Sequence, residues 1–251
     1  MNTNEKTVER MRKMKFFGML RAFKATLEDK QNEKFTADEM TSHLIETEYD
    51  ERQNRNIANK TKSAKFRYKA SVEEIIFNEN RSIDRNQILR FADCKFIHDF
   101  ENILITGSTG VGKSYLSSAL GHQACSLGYK VLYLNTPKLF SRMKMAKADG
   151  TYLREIAKFE RQHLLILDDF GLQPLDSTSR ATLMEIIEDR YAKGSIIITS
   201  QVPIAKWYDV IGEKTVADAI LDRIIHSAHR VEITGDSMRK KRSELTQINE
   251  N

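Results

Sequence analysis

The sequence predicts an α/β domain built on a parallel sheet, preceded by a small all-helical domain, and two observations separate them. Before Gly107 the chain contains a single glycine, Gly18, and no proline; from Gly107 onward come the other ten glycines and all three prolines (Pro137, Pro174, Pro203). A breaker-free stretch rich in Lys, Glu, Arg and Met reads as helical. Beyond it, aliphatic runs such as Leu164-Leu165-Ile166-Leu167 and Ile196-Ile197-Ile198 alternate with helical stretches. Near-continuous apolar strands are what a parallel sheet covered on both faces requires.

In residues 5–30, Val8, Met11, Met14, Leu20, Phe23 and Leu27 recur at roughly helical spacing and are expected to pack a small core. Thr36-Ala37-Asp38-Glu39 is a capping box opening a second helix through Met40, Leu44 and Ile45. Ser71-Val72-Glu73-Glu74 offers another, ahead of Ile75-Ile76-Phe77. These elements set the helical domain at 1–70 and the α/β domain at 71–251. Within the latter, 71–100 is a connecting segment and 236–251 a basic tail. Past Gly107, a helix runs to about Leu127 and ends at Gly128. A strand follows at Val131–Leu134, and Thr136-Pro137 supplies an N-cap and first-turn proline. Strands at 164–167, 195–199 and 230–233, with a helix through Leu183, Ile186, Ile187 and Tyr191, complete the alternation.

The 251 residues carry a net charge of +5, but its distribution is uneven. Between Glu51 and Ala70 stand Arg52, Arg55, Lys60, Lys62, Lys65, Arg67 and Lys69 against Glu51 alone, so this window exceeds the charge of the whole chain. Asn59 and its neighbouring amides add neutral donors, and Phe66 and Tyr68 are interleaved aromatics. Such a mixture suits the phosphate backbone of duplex DNA; an ordinary solvated helix face would mix charge signs. A second basic run, Arg239-Lys240-Lys241-Arg242, is shorter. No leader or membrane-length apolar run is present, which points to the cytoplasm. Cys94 and Cys125 form no ligand pattern and read as buried thiols, and the six histidines show no metal spacing.

Gly107-Ser108-Thr109-Gly110-Val111-Gly112-Lys113-Ser114 fills every fixed position of a phosphate-binding loop, with an aliphatic run before it and Tyr115 opening a helix after it. Glycines turn the backbone so that its N–H groups face phosphate oxygens, and the helix N-terminus adds positive potential. Lys113 reaches the β/γ-phosphates of a nucleoside triphosphate, and Ser114 ligates Mg²⁺. The strand ending in Asp168-Asp169 then supplies a metal-side acid, Asp168, and an acid for the attacking water, Asp169. Gln201, ahead of Ser200, is the candidate γ-phosphate sensor. Arg223 is the candidate arginine supplied to a neighbour's nucleotide, its plain alternative being a pair with Asp222 or Asp218. Arg239 is a candidate second arginine acting in cis.

Together the Gly107–Ser114 loop, Leu164-Leu165-Ile166-Leu167-Asp168-Asp169-Phe170-Gly171, Thr199-Ser200-Gln201-Val202-Pro203 and Leu221-Asp222-Arg223 leading to Gly235-Asp236-Ser237-Met238-Arg239 resemble the AAA+ class of ATPases. Within it they resemble the IstB/DnaC group, most closely the IstB helper proteins of insertion sequences. The likeness extends upstream through Tyr49–Arg55. It implies ATP and Mg²⁺ as cofactors, duplex DNA and the element's transposase as partners, and homo-oligomers with nucleotide at subunit interfaces. Only 18 residues follow Ile233, too few for the usual helical lid of the class, so a reduced or absent C-terminal lid is expected. Asp169 stands where the wider class usually carries Glu, which implies slow hydrolysis. The alternative within the group is a helicase loader, against which the basic 51–70 segment argues. A GTPase would need Asn-Lys-x-Asp late in the chain, whereas the only Asn-Lys is Asn59-Lys60. A non-hydrolysing ATP-gated scaffold is the third reading.

Overall fold

The computed structural model describes residues 2–28, 35–77 and 81–238. Two compact units divide the chain, Met1–Asn59 and Lys60–Asn251.

In the first unit, α1 (Thr3–Lys13) and α2 (Phe17–Glu28) are parted at Lys15, whose φ of 61° turns the chain. α3 (Ala37–Ala64) opens on its box: Thr36 N–H donates to Glu39 Oε2 at 2.8 Å and Glu39 N–H to Thr36 Oγ1 at 3.3 Å. The last turn of α3 belongs to the second unit. The apolar stripe expected to form a core does not do so: Val8, Met11, Leu20 and Phe23 are half-buried, and Met14 and Leu27 are exposed. So few residues lack the volume to enclose a stripe of that length. A buried carboxylate joins α2 to α3 instead. Glu48 accepts from the N–H groups of Gly18 (2.8 Å) and Met19 (3.3 Å), two donors of the first turn of α2, and from Arg52 Nε at 2.7 Å. Burial would raise this carboxyl, but the hydrogen bonds from Arg52, Met19 and Gly18 outweigh it and hold Glu48 below its usual range.

In the second unit, α4 (Arg85–Ala92) and α5 (Lys95–His98) precede a sheet of five parallel strands. These are β1 (Asn102–Gly107), β2 (Val131–Asn135), β3 (Leu164–Phe170), β4 (Ser195–Ser200) and β5 (Ala228–Ile233), in the order β2-β3-β4-β1-β5. α6 (Lys113–Ser126) covers one face with Ile103, Ile105, Ile166 and Ile197; Leu104, Leu165, Leu167, Ile196 and Ile198 fill the other. α7 (Thr136–Ala148), α8 (Tyr152–Glu160), α9 (Ser177–Arg190), α10 (Trp207–Ile211) and α11 (Lys214–Ile225) complete the unit. Trp207 is fully buried against Phe170, ring centroids 4.8 Å apart, and donates to the Val202 carbonyl at 2.9 Å. Both cysteines are buried, which pushes their thiols up to about 12 (Cys94) and about 11 (Cys125).

Local chemistry moved two boundaries. Ser71 opens no helix: its hydroxyl accepts from Glu73 N–H at 3.2 Å, a turn bond that competes with capping, while Val72 and Ile75 enter the core. The cap of α7 is Asn135, the last residue of β2, with Pro137 in the first turn; Thr136 lies inside the helix. α8 has no counterpart in the pattern read from the sequence. Arg239 and the run through Arg242 lie outside the described residues.

Candidate nucleotide-binding and hydrolysis site

The carboxyl ends of β1, β3 and β4 lie side by side, which is where open parallel sheets bind ligands. From β1 the chain enters the glycine loop. Gly107, Gly110 and Gly112 take φ of 148°, 86° and 100°, and a Cβ on Gly107 would lie 2.1 Å from the Ile233 carbonyl oxygen. Only glycine fits that passage. Lys113 is buried, and its Nζ donates to the carbonyls of Gly107 and Ser108, both at 2.8 Å. Tyr115 donates its hydroxyl to Glu74 at 2.6 Å.

Asp168 and Asp169 lie in the last part of β3, at an irregularity just before Phe170. The register with β4 shifts between Leu167 and Phe170, and Asp169 takes φ of 61°. Successive side chains of a regular strand point to opposite faces; a bulge with a left-handed residue relaxes that rule and lets both carboxylates reach the Arg67 guanidinium. Asp168 is fully buried. Its Oδ1 accepts from Ser114 Oγ at 2.8 Å and from the Thr199 hydroxyl, and its Oδ2 from the Tyr133 phenol. Burial pushes that phenol well above its usual range, with the charge of Asp168 acting in the same direction. Asp169 N–H donates to Thr199 Oγ1 at 3.1 Å, and its Oδ2 accepts from Asn135 Nδ2 at 3.0 Å and Arg67 Nη1 at 3.1 Å.

The two sensor candidates part here. Thr109 Oγ1 donates to Gln201 Oε1 at 2.6 Å, joining the loop to the end of β4. Ser200 is buried, donates to the Phe170 carbonyl at 2.7 Å and accepts from Val202 N–H at 3.0 Å. Gln201 therefore faces the loop, and Ser200 braces the strand ends. Arg223 on α11 pairs with neither Asp222 nor Asp218: its Nε meets Glu188 Oε2 of α9 at 2.8 Å, and its Nη1 donates to the Ala219 carbonyl at 3.0 Å. Its guanidinium lies 5.9 Å from the centroid of the Tyr191 ring. Among the described residues, no hydrogen bond or ion pair joins it to the loop or the acid pair.

The basic window divides by environment. In the first unit Arg52 holds Glu48 and covers the Phe16 ring, and Arg55 meets Glu51 at 3.6 Å and covers Phe17. Asn59 is exposed. In the second unit Lys62, Lys65 and Lys69 are exposed and make no ion pair among the described residues, Lys60 is half-buried, and Arg67 reaches the acid pair.

Four contributors were missed from the sequence. Tyr133, Asn135 and Thr199 sit at or near the ends of strands flanking β3, where Asn135 registers with Asp168. For Asn135 and Thr199 the signal was a polar residue just past an aliphatic run and for Tyr133 a hydroxyl within one, each legible only once strand neighbours are known. Arg81 gave no signal: from the connecting segment, Nη2 donates to the Val111 carbonyl in the loop at 2.6 Å and Nη1 to the Ile76 carbonyl at 2.8 Å. Its Nε is buried without a partner.

The fold recurs in solved structures. DnaI matches with a TM-score of 0.57 and 25% identity over 66% of this chain and 92% of that one. The DnaC helicase loader matches at 0.54 and 22%, over 66% and 98%. AMPPCP-bound DnaA from Aquifex aeolicus matches at 0.56 and 24%, over 74% and 57%. This is the AAA+ architecture. In sequence, an insertion sequence ATP-binding protein of Sinorhizobium fredii, y4pL, is 39% identical over 93% of this chain and 96% of its own length. The ATP-binding protein of insertion sequence IS1162 from Pseudomonas fluorescens is 35% identical over 78% and 86%. The model of the IstB-like ATP binding protein family matches residues 9–246, and the chain belongs to that family.

Proposed function

We propose that this chain hydrolyses ATP with Mg²⁺, assembles with copies of itself on duplex DNA with the nucleotide at subunit junctions, and brings a transposase to that DNA. The observation that carries the hydrolytic reading is the hydrogen bond of Ser114 Oγ to Asp168 Oδ1 at 2.8 Å, with Asp169 beside it and Lys113 in the loop. A hydroxyl and a carboxylate are hard oxygen donors, so they fit Mg²⁺; Ser114 directly and Asp168 through water would hold it. When bound, Mg²⁺ neutralises charge on the phosphate oxygens.

The protein's own residues divide the remaining work. The Lys113 ammonium exchanges the Gly107 and Ser108 carbonyls for β/γ-phosphate oxygens. Asp169 orients the attacking water and accepts its proton, while hydrogen bonds from Tyr133 and Thr199 hold the Asp168 carboxylate in place. Gln201, tied to Thr109, senses the γ-phosphate, and its release accompanies ADP formation.

Assembly is supported by Arg223, which is held by Glu188 near the surface and can exchange that carboxylate for a neighbour's phosphate. DNA contact is supported by the exposed Lys62, Lys65 and Lys69, which make no ion pair among the described residues; Arg52, Arg55, Asn59, Lys60 and Lys62 lie on α3, and Lys65 and Lys69 follow its end. The transposase is supported by the relatives' association with insertion sequences.

The test is ATP turnover of the full chain with and without a duplex of ~50–60 base pairs, long enough for several subunits at one charge per ~1.7 Å of axis, alongside electron microscopy of the same mixtures. The expected result is stimulated turnover and ATP-dependent assemblies. Changing Lys62, Lys65 and Lys69 to Glu should weaken DNA binding and lower the salt slope by about three or more. Turnover that ignores DNA, or is absent, refutes the reading.

A further inference from the structure

Arg67 belongs to the basic window, yet its guanidinium lies on the acid pair: Nη1 is 3.1 Å from Asp169 Oδ2 and 3.5 Å from Asp168 Oδ2. The local fold explains how it arrives there. α3 ends at Ala64, and Lys65 turns the chain with φ of 59°. Phe66 then packs over α6, 4.2 Å between centroids from the His122 ring, at the point where Gly121 leaves room for it. The Tyr68 carbonyl lies 3.1 Å from His122 Nε2, and Ala70 is buried in the core. Residues 66, 68 and 70 thus grip the nucleotide-loop helix, Lys65 and Lys69 stand in solvent, and Arg67 extends along the surface to the carboxylates. Its side chain is still 41% exposed.

This placement opposes the chemistry proposed for the site. Arg67 and Asn135 both donate to Asp169 Oδ2, so the oxygen that would receive water already holds two donors. A guanidinium bridging both acids also puts positive charge where a divalent cation must come. The same fork-shaped cation is suited to a phosphate diester, and the exposed Lys65 and Lys69, which make no ion pair among the described residues, stand two positions before and after it in the chain.

Building on the ATPase-on-DNA reading above, we propose that Arg67 is a positioning residue that restrains Asp168 and Asp169 until a DNA phosphate draws its guanidinium away. Two anions, the acid pair and the nucleic-acid backbone, compete for one cation, and this competition couples DNA contact to hydrolysis. The ligand class is the phosphodiester backbone, read without regard to base.

The test uses the full chain with Arg67→Gln and Arg67→Lys. Without DNA, Arg67→Gln should raise turnover roughly tenfold, the worth of one charge-assisted hydrogen bond, and reduce the DNA-stimulation ratio toward one. Independently of turnover, Mn²⁺ titrated into the protein with a non-hydrolysable ATP analogue, followed by electron paramagnetic resonance, should bind about tenfold tighter in Arg67→Gln. Arg67→Lys, which keeps the charge, should stay close to the parent. Trp207 fluorescence melting checks that each variant is folded. Lower DNA-free turnover in Arg67→Gln with an unchanged stimulation ratio overturns the proposal, as does unchanged Mn²⁺ affinity while the parent still responds to DNA. A parent indifferent to DNA refutes the ATPase-on-DNA reading and with it the release by phosphate; Mn²⁺ affinity then separately decides whether Arg67 restrains the acids.

Discussion

Gly121→Ala adds one methyl group to α6 at the point where Phe66 crosses it. In an unencumbered helix this change stabilises by about 1 kcal/mol, because alanine loses less backbone freedom on folding. Here the added carbon would lie 2.4 Å from Phe66 Cε1, 2.9 Å from Phe66 Cζ and 2.8 Å from Ile166 Cδ1. Ile166 Cδ1 is the far end of a flexible side chain and can rotate aside, whereas the rigid Phe66 ring must move as a whole. Overpacking of this kind costs about 1–3 kcal/mol. The net expectation is destabilisation by up to ~2 kcal/mol, opposite in sign to helix propensity. Urea unfolding followed through Trp207, the chain's one tryptophan and fully buried in the same unit, reads this directly. In a Phe66→Leu background the smaller side chain relieves the clash, so Gly121→Ala should become neutral or favourable. The two changes then couple by about 1–2 kcal/mol with an unaltered denaturant slope. Stabilisation in the parent background, or strict additivity, would refute the wedge and with it the account of how Arg67 is presented to the acids.

Arg81→Ala removes the donor to the Val111 carbonyl and should weaken binding of an ATP analogue about tenfold, measured by calorimetry; unchanged affinity would show that the loop needs no such brace. Arg190→Met removes a buried guanidinium that donates to the carbonyls of Phe159, Gln162, His163 and Ser195. A lower urea midpoint, worth roughly 3 kcal/mol or more, is expected, and a loss under ~1 kcal/mol would contradict it. Asp176 caps α9, and its hydrogen bonds from Lys144 and the Ser179 N–H hold its carboxyl below the ordinary 3.8. A depressed carboxyl stabilises the fold above its unfolded value, and that contribution is lost as pH falls through the lower folded one. Asp176→Asn keeps the cap acceptor but not the charge, so the parent should melt higher at about pH 6 and the gap should begin to narrow below about pH 4, shrinking further as pH falls toward the depressed folded value. A gap no narrower at about pH 2 than at about pH 6 would mean the charge is not its cause.

Reading elements from the sequence succeeded where one residue type had one structural use. The loop glycines, the aliphatic β3 and β4, the Thr36–Glu39 box and the Lys113, Ser114 and Asp168 constellation were all legible, since each is a local pattern with a local reason. It failed where residues had two plausible partners. Ser71 bonded its own turn instead of a helix, Asn135 took the cap expected of Thr136, and the stripe through Met14 and Leu27 found too little around it to be buried. Arg223 paired with Glu188, 35 positions earlier, and not with an aspartate of its own helix.

The chain alone therefore determined that a parallel α/β sheet carries a phosphate loop and two acids, because loop, strand and cap chemistry act within a few residues. Tertiary structure decided which groups surround those acids. Strand order set Tyr133, Asn135 and Thr199 beside β3, and a bulge with a left-handed Asp169 turned both carboxylates the same way. The turn at Lys65 laid Arg67 across them. Charge counting along the chain could say that Arg67 is basic. Which anion holds it depends on distances across the fold, since electrostatic energy falls with separation in space and not in sequence.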